Sequence, residues 1–126
     1  MPLPRVLVAD DSATIRHLVQ VALKPVAEVV GVADGRAALA ELEKWVPALV
    51  LTDLNMPELG GRELVAAVRS GEATARLPIL LMTTSAEKAS IGNDLLQSVT
   101  AVLVKPFDAV TVLGLIRPLL PGGAKR

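Results

Sequence analysis

Five short runs of Val, Leu and Ile punctuate the chain: RVLVA (5–9), EVVGVA (28–33), ALVLT (48–52), PILLMT (78–83) and AVLVK (101–105). Each is apolar at consecutive rather than alternate positions, the pattern of a strand buried on both faces of a parallel sheet. Between the runs, apolar residues return at the spacing of a helix face. Over 13–24 the stripe is Ile15, Leu18, Val19, Ala22 and Leu23, with Asp11 or Ser12 placed to cap it and Pro25 to stop it. Over 36–45 it is Ala37, Ala38, Leu39, Leu42 and Trp45, opened by the turn pair Asp34-Gly35 and closed by Pro47. Further helices are predicted over 62–70 and 86–98, and a last one from about 108. Strand and helix thus alternate five times. That order predicts a three-layer α/β domain, a parallel sheet with right-handed crossovers and helices on both faces.

Composition narrows the picture without changing it. A chain of 126 residues is the size of one domain, 1–126, with a core of about 5–118 and a tail over 119–126. Apolar residues at 52% and charged residues at 21% fit an ordinary globular protein rather than a disordered one. Lys plus Arg and Asp plus Glu number 13 each, so the basic excess needed for nucleic-acid or anionic-membrane binding is missing. The absence of Cys excludes disulfides, thiolate metal sites and Cys nucleophiles, and fits a reducing compartment. No signal-like leader opens the chain, and no stretch reaches the roughly 18 apolar residues of a membrane span. The cytoplasm is the expected location.

In sheets of this kind ligands bind beyond the carboxyl ends of the strands. The first strand ends in Asp10 and Asp11, the third in Asp53, the fourth in Thr83 and the fifth in Lys105-Pro106. Two like charges about 4 Å apart at an effective dielectric near 20 repel by about 4 kcal/mol. Three acids gathered at one rim therefore need a cation, and oxygen donors without His or Cys select Mg²⁺ or Mn²⁺. A carboxylate beside such an ion stays charged and can attack phosphorus. The metal, a Thr hydroxyl and a Lys ammonium can then balance the three oxygens of a transferring phosphoryl group. Taken singly, each residue has an ordinary reading. Asp10 and Asp11 can cap a helix, Asp53-Leu54-Asn55 can be a strand exit, Thr83 a strand residue and Lys-Pro a common dipeptide. The conjunction carries the case. His17 reads as solvated, Trp45, Met56 and Met82 as packing residues, and Phe107 as cover for the edge of the site.

From about Arg5 to Ile116 the chain resembles the receiver domain of two-component response regulators, and the chemotaxis type in particular. The resemblance rests on VADDS, on LTDLNMPELGG with Gly61 eight residues after Asp53, on LPILLMTT and on VLVKPF. Asp53 follows Asp11 by 42 residues and Lys105 follows Thr83 by 22, as in that family. The resemblance implies a flavodoxin-like, doubly wound (βα)5 fold with a parallel five-stranded sheet of order 2-1-3-4-5. It implies a signalling switch rather than an enzyme, with slow autodephosphorylation at most. Asp53 would be the phosphoacceptor, taking its phosphoryl group from a histidine kinase or a histidine phosphotransfer protein. Asp11 would ligate Mg²⁺ or Mn²⁺ directly, Asp10 mainly through water, and Asn55 through its backbone carbonyl. Thr83 and Lys105 would each hold a phosphoryl oxygen, with Thr83 swinging inward on activation. Pro106 would follow a cis peptide bond that orients Lys105; X-Pro is where cis is cheap. The face formed by the fourth helix, the fifth strand and the last helix would dock a downstream protein target or a second copy of the chain.

The chain departs from the family pattern in places. Val102 stands three residues before Lys105, where an aromatic is common, so the usual coupled Thr–aromatic switch is not expected. SVTAVLV lacks the Gly-Ala that often precedes the fifth strand, and Ser85 is short for orienting a hydrolytic water, which predicts a long phosphoryl lifetime. The last helix, with Val110, Val112, Leu113, Leu115, Ile116, Leu119 and Leu120, is too apolar for one buried stripe. Either it offers an interaction surface or Leu119 and Leu120 fold back onto the core. Two further readings stand beside the leading one: a pseudo-receiver that binds partners without phosphorylation, and the N-terminal receiver of a longer regulator with a DNA-binding or enzymatic output domain. A haloacid-dehalogenase-type phosphotransferase is disfavoured, because the first strand gives Asp-Asp-Ser rather than Asp-x-Asp-x-Thr and leaves no room for a lid.

Overall fold

The strands run β1 (Arg5–Ala9), β2 (Glu28–Val32), β3 (Leu49–Asp53), β4 (Ile79–Thr84) and β5 (Ala101–Lys105) in a computed structural model that describes residues 3–121. All four neighbouring pairs are parallel, and the order is β2-β1-β3-β4-β5, as expected. The helices are α1 (Ala13–Leu23), α2 (Gly35–Leu42), α3 (Gly61–Ser70), α4 (Ser85–Lys88), α5 (Asn93–Ser98) and α6 (Ala109–Ile116), the last followed by a 3-10 turn over Arg117–Leu119. Residues 122–126 of the expected tail lie outside the described residues.

Consecutive apolarity in the strands is explained by two cores, one on each face of the sheet. Val6, Val8, Leu49, Leu51, Leu80, Met82 and Leu103 point toward α1 and α6, where Val19, Leu23, Val112 and Ile116 meet them. Leu7, Ala9, Val50, Ile79 and Leu81 point the other way, toward Ala38 of α2, Leu64, Val65 and Val68 of α3 and Leu95 of α5. Alternate residues of one strand therefore serve different cores, and both sets must be apolar. The helix starts follow their capping residues. Ser12, Asp34 and Asp108 each accept a hydrogen bond from a backbone N–H of the first turn of α1, α2 and α6.

The helix expected over 86–98 is two helices. It stops at Lys88 and restarts at Asn93, with Gly92 between them at φ +89°. That backbone conformation suits Gly and ends a helical run. Ser90 donates its hydroxyl back to the Glu87 carbonyl, and the Arg62 guanidinium, reaching from α3, holds the Ile91 carbonyl at 3.2 Å. Helix α2 ends three residues short of the expected 36–45, and Trp45 packs beyond it, its ring under the Arg5 guanidinium at 4.0 Å. The loop before β5 is fixed by Thr100, which exchanges hydrogen bonds with Ile79 through both its backbone N–H and its side-chain oxygen. Leu120 folds back into the α1–α6 core and Leu119 packs against it, whereas Val110 is 79% exposed. Among the described residues, no helix is long and apolar enough to cross a membrane.

Candidate functional site

Strand register brings the acids together. Ala9 of β1 lies beside Thr52 of β3, so Asp10 and Asp53 leave the sheet as neighbours. Asp10 is fully buried: one carboxylate oxygen accepts from Ser12 N–H at 2.9 Å, the other from Lys105 Nζ at 2.9 Å, and its carbonyl accepts from Arg16 at 2.7 Å. Asp53 is nearly as buried and takes Lys105 Nζ at 3.1 Å. Lys105 reaches both from β5, across β4, and is followed by the cis Lys105–Pro106 bond that the resemblance implied. Asp11 is exposed, yet its carboxylate joins those of Asp10 and Asp53 with oxygens within 4.8 Å of one another.

The charges are not balanced. Burial raises the Asp53 carboxyl above its usual value; the Lys105 bond opposes this, and the Asp10 charge adds to it. Burial pulls Lys105 down, but its bonds to Asp10 and Asp53 outweigh that and hold its ammonium above the ordinary lysine value. Lys105 pairs with two of the three clustered carboxylates, and the remaining negative charge is of the kind a cation offsets. The donors are all hard oxygens and suit Mg²⁺ or Mn²⁺.

Of the residues expected here, Asp10, Asp11, Asp53 and Lys105 converge. Thr83 and Asn55 stand beside them but are engaged elsewhere. The buried Thr83 hydroxyl has two acceptors in reach for its one proton, Glu87 Oε1 at 3.2 Å and the Thr84 carbonyl at 3.4 Å, and the Asn55 side-chain amide donates to Glu87 Oε2. Glu87 is not among the site residues the sequence predicts. Its signal was there as Thr84-Ser85-Ala86-Glu87, a capping box, and that box forms: Thr84 Oγ1 accepts from Glu87 N–H while Thr84 N–H donates to Glu87 Oε1. The Thr84 backbone bond first, and then the Thr84, Thr83 and Asn55 side chains, hold the Glu87 carboxyl below its usual value. Asn55 and Glu87 also line an open cleft of about 540 Å³ with Met56, Arg62 and Ile91. Val102 is half-buried in β5 and Ser85 is exposed at the start of α4.

Residues 6–117 match the profile of the response regulator receiver domain. The chain belongs to that family. Its likeness to the chemotaxis type is direct: the chemotaxis response regulator CheY4 of Vibrio cholerae superposes with a TM-score of 0.83 at 39% identity, over 94% of this chain and 99% of that one. The response regulator Rcp1, solved in a Mn²⁺-bound form, superposes with a TM-score of 0.75 at 28% identity, over 93% of this chain and 94% of that one. A protein-glutamate methylesterase/protein-glutamine glutaminase of a Nocardioides species is 44% identical over 96 residues. That match takes in 74% of this chain but only 26% of the longer relative. The chain is therefore a receiver domain of two-component signalling, of the chemotaxis-regulator kind.

Proposed function

We propose that this receiver is a phosphorylation-controlled switch in which Asp53 accepts a phosphoryl group from a phosphohistidine on a partner kinase or phosphotransfer protein. The observation that supports it best is Lys105 Nζ, 2.9 Å from Asp10 and 3.1 Å from Asp53. An ammonium so placed opposes the effect of burial, favours the charged form of Asp53 that attacks, and lies beside the oxygens that the phosphoryl group would bring. An Asp53 carboxylate oxygen forms the bond to phosphorus as the P–N bond of the phosphohistidine breaks, and the departing imidazole keeps the electron pair and takes up a proton. Asp10, Asp11, Asp53 and the Asn55 carbonyl would hold the magnesium or manganese ion, whose charge offsets that of the phosphoryl oxygens. Thr83 would then donate its hydroxyl to one phosphoryl oxygen and Lys105 its ammonium to another. The change would reach a downstream protein through α5, β5 and α6.

Intact mass after incubation with acetyl phosphate tests this, with and without Mg²⁺, on the wild type and Asp53→Asn. The expected result is a Mg²⁺-dependent gain of one phosphoryl mass that Asp53→Asn abolishes. No adduct on a protein that still binds Mg²⁺ would favour a pseudo-receiver. The match to about a quarter of the methylesterase favours a second arrangement, in which the same switch controls an output domain on a longer chain. The mass of the protein isolated from its own cells separates the two.

A further inference from the structure

We propose that Glu87 is a positioning residue that holds the Thr83 hydroxyl in direct competition with the phosphoryl group on Asp53; this rests on the phosphoacceptor reading above. One carboxylate collects donors from both loops that flank the acceptor. Oε1 accepts from Thr83 Oγ1 at 3.2 Å, from Thr84 Oγ1 at 3.2 Å and from Thr84 N–H at 3.1 Å, and Oε2 accepts from the Asn55 amide. A hydroxyl has a single proton to give. While Thr83 gives it to Glu87 or to its neighbouring carbonyl, it cannot give it to a phosphoryl oxygen.

The carboxylate is held in place by its helix. Glu87 is the third residue of a four-residue helix whose cap fixes both its backbone N–H and its side chain. Thr83 itself is fully buried, one residue beyond Met82, which lies beside Asp53 in the sheet. The helix carrying Glu87 ends at Lys88, and the chain between it and α5 is pinned at Ile91, which is buried and whose carbonyl accepts from Arg62. Movement of Glu87 therefore need not drag α5, whose Leu95 is anchored in the core. Phosphorylation would exchange one partner of Thr83 for another and release Asn55 and α4 in the same step.

The test is the rate of phosphoryl uptake from acetyl phosphate, read by intact mass, with Trp45 fluorescence confirming that each variant is folded. Glu87→Ala is expected to accelerate uptake about five-fold, the factor carried by a hydrogen bond of ordinary net strength. Glu87→Gln keeps an acceptor oxygen and is expected to accelerate it less. Thr84→Ala removes the cap hydroxyl but keeps the Thr84 N–H bond to Glu87 Oε1 and the Thr83–Glu87 bond, and should accelerate uptake by less than Glu87→Ala. In a Thr83→Ala background, Glu87→Ala should have no further effect. On adding beryllofluoride to the protein already saturated with Mg²⁺, the Asn55 side-chain amide resonances should move in the wild type, toward positions that Glu87→Ala with Mg²⁺ shows already without the mimic. Equal rates for Glu87→Ala and Thr84→Ala, or the same acceleration without Thr83, would overturn the proposal alone. A wild type that takes up no phosphoryl group would overturn the phosphoacceptor reading and this proposal with it.

Discussion

Asp53 is under opposing electrostatic influences, because burial and the Asp10 charge favour its neutral form while Lys105 favours the charged one. The balance raises its pKa, so between the ordinary carboxylate value of 3.8 and the raised one the folded chain binds more protons than the unfolded chain. The contribution of Asp53 to stability is then fully present below 3.8 and is lost as pH rises through the folded value. Asp53→Asn lacks this loss. It should melt higher than the wild type at neutral pH in metal-free buffer, with an advantage that shrinks as pH is lowered through the carboxylate range. Thermal melts of the two proteins across that range check it; a constant or inverted difference would show that the Lys105 bond dominates.

At the scale of elements, the close approach of α3 to the end of β3 decides where Asp53 sits. A Cβ on Gly61 would stand 2.1 Å from the Asp53 carbonyl oxygen, a backbone atom that cannot step aside, and Gly61 N–H already donates to the Leu54 carbonyl at 2.9 Å. Gly61→Ala is therefore expected to cost about 1–3 kcal/mol through forced separation and to slow phosphoryl uptake by displacing Asp53. A melt and an uptake rate on one variant measure both, and unchanged values in each would refute the packing argument. Gly61 also marks the border of what sequence could tell. Its spacing from Asp53 was readable; the carbonyl it must clear was not. Strands were legible because each serves two cores with consecutive apolar residues, and the acids and Lys105 were legible because they end those strands. The break in the 86–98 helix had a sign in Gly92, but the contact that holds the broken segment, a guanidinium from α3 on the Ile91 carbonyl, comes from 29 residues away and could not be read. Thr83 was legible as a strand end but its partner was not, since a capping box announces a helix start and says nothing of the hydroxyl one residue before it.

For the whole molecule, the two cores explain why so apolar a last helix does not leave a broad sticky face. Val112 and Ile116 are fully buried, Leu120 nearly so, and Leu113, Leu115 and Leu119 pack at the margin of the α1–α6 core. Along α5, β5 and α6 the large apolar side chains left exposed are Leu96, at 37%, and Val110, at 79%. A stable dimer buries about 800 Å² on each partner around an apolar centre, and two separate side chains fall well short of that. The resting protein is therefore expected to be a monomer, and size-exclusion chromatography with light scattering at rising concentration measures it directly. A dimer in the absence of any phosphoryl mimic would mean that this face, or another, associates without the switch. The same experiment with beryllofluoride and Mg²⁺ asks what the switch does to the surface. A dimer appearing only then, and lost in Val110→Glu, would assign the α5–β5–α6 face to a second copy of the chain, whereas a monomer in both states would remove the second copy as its occupant.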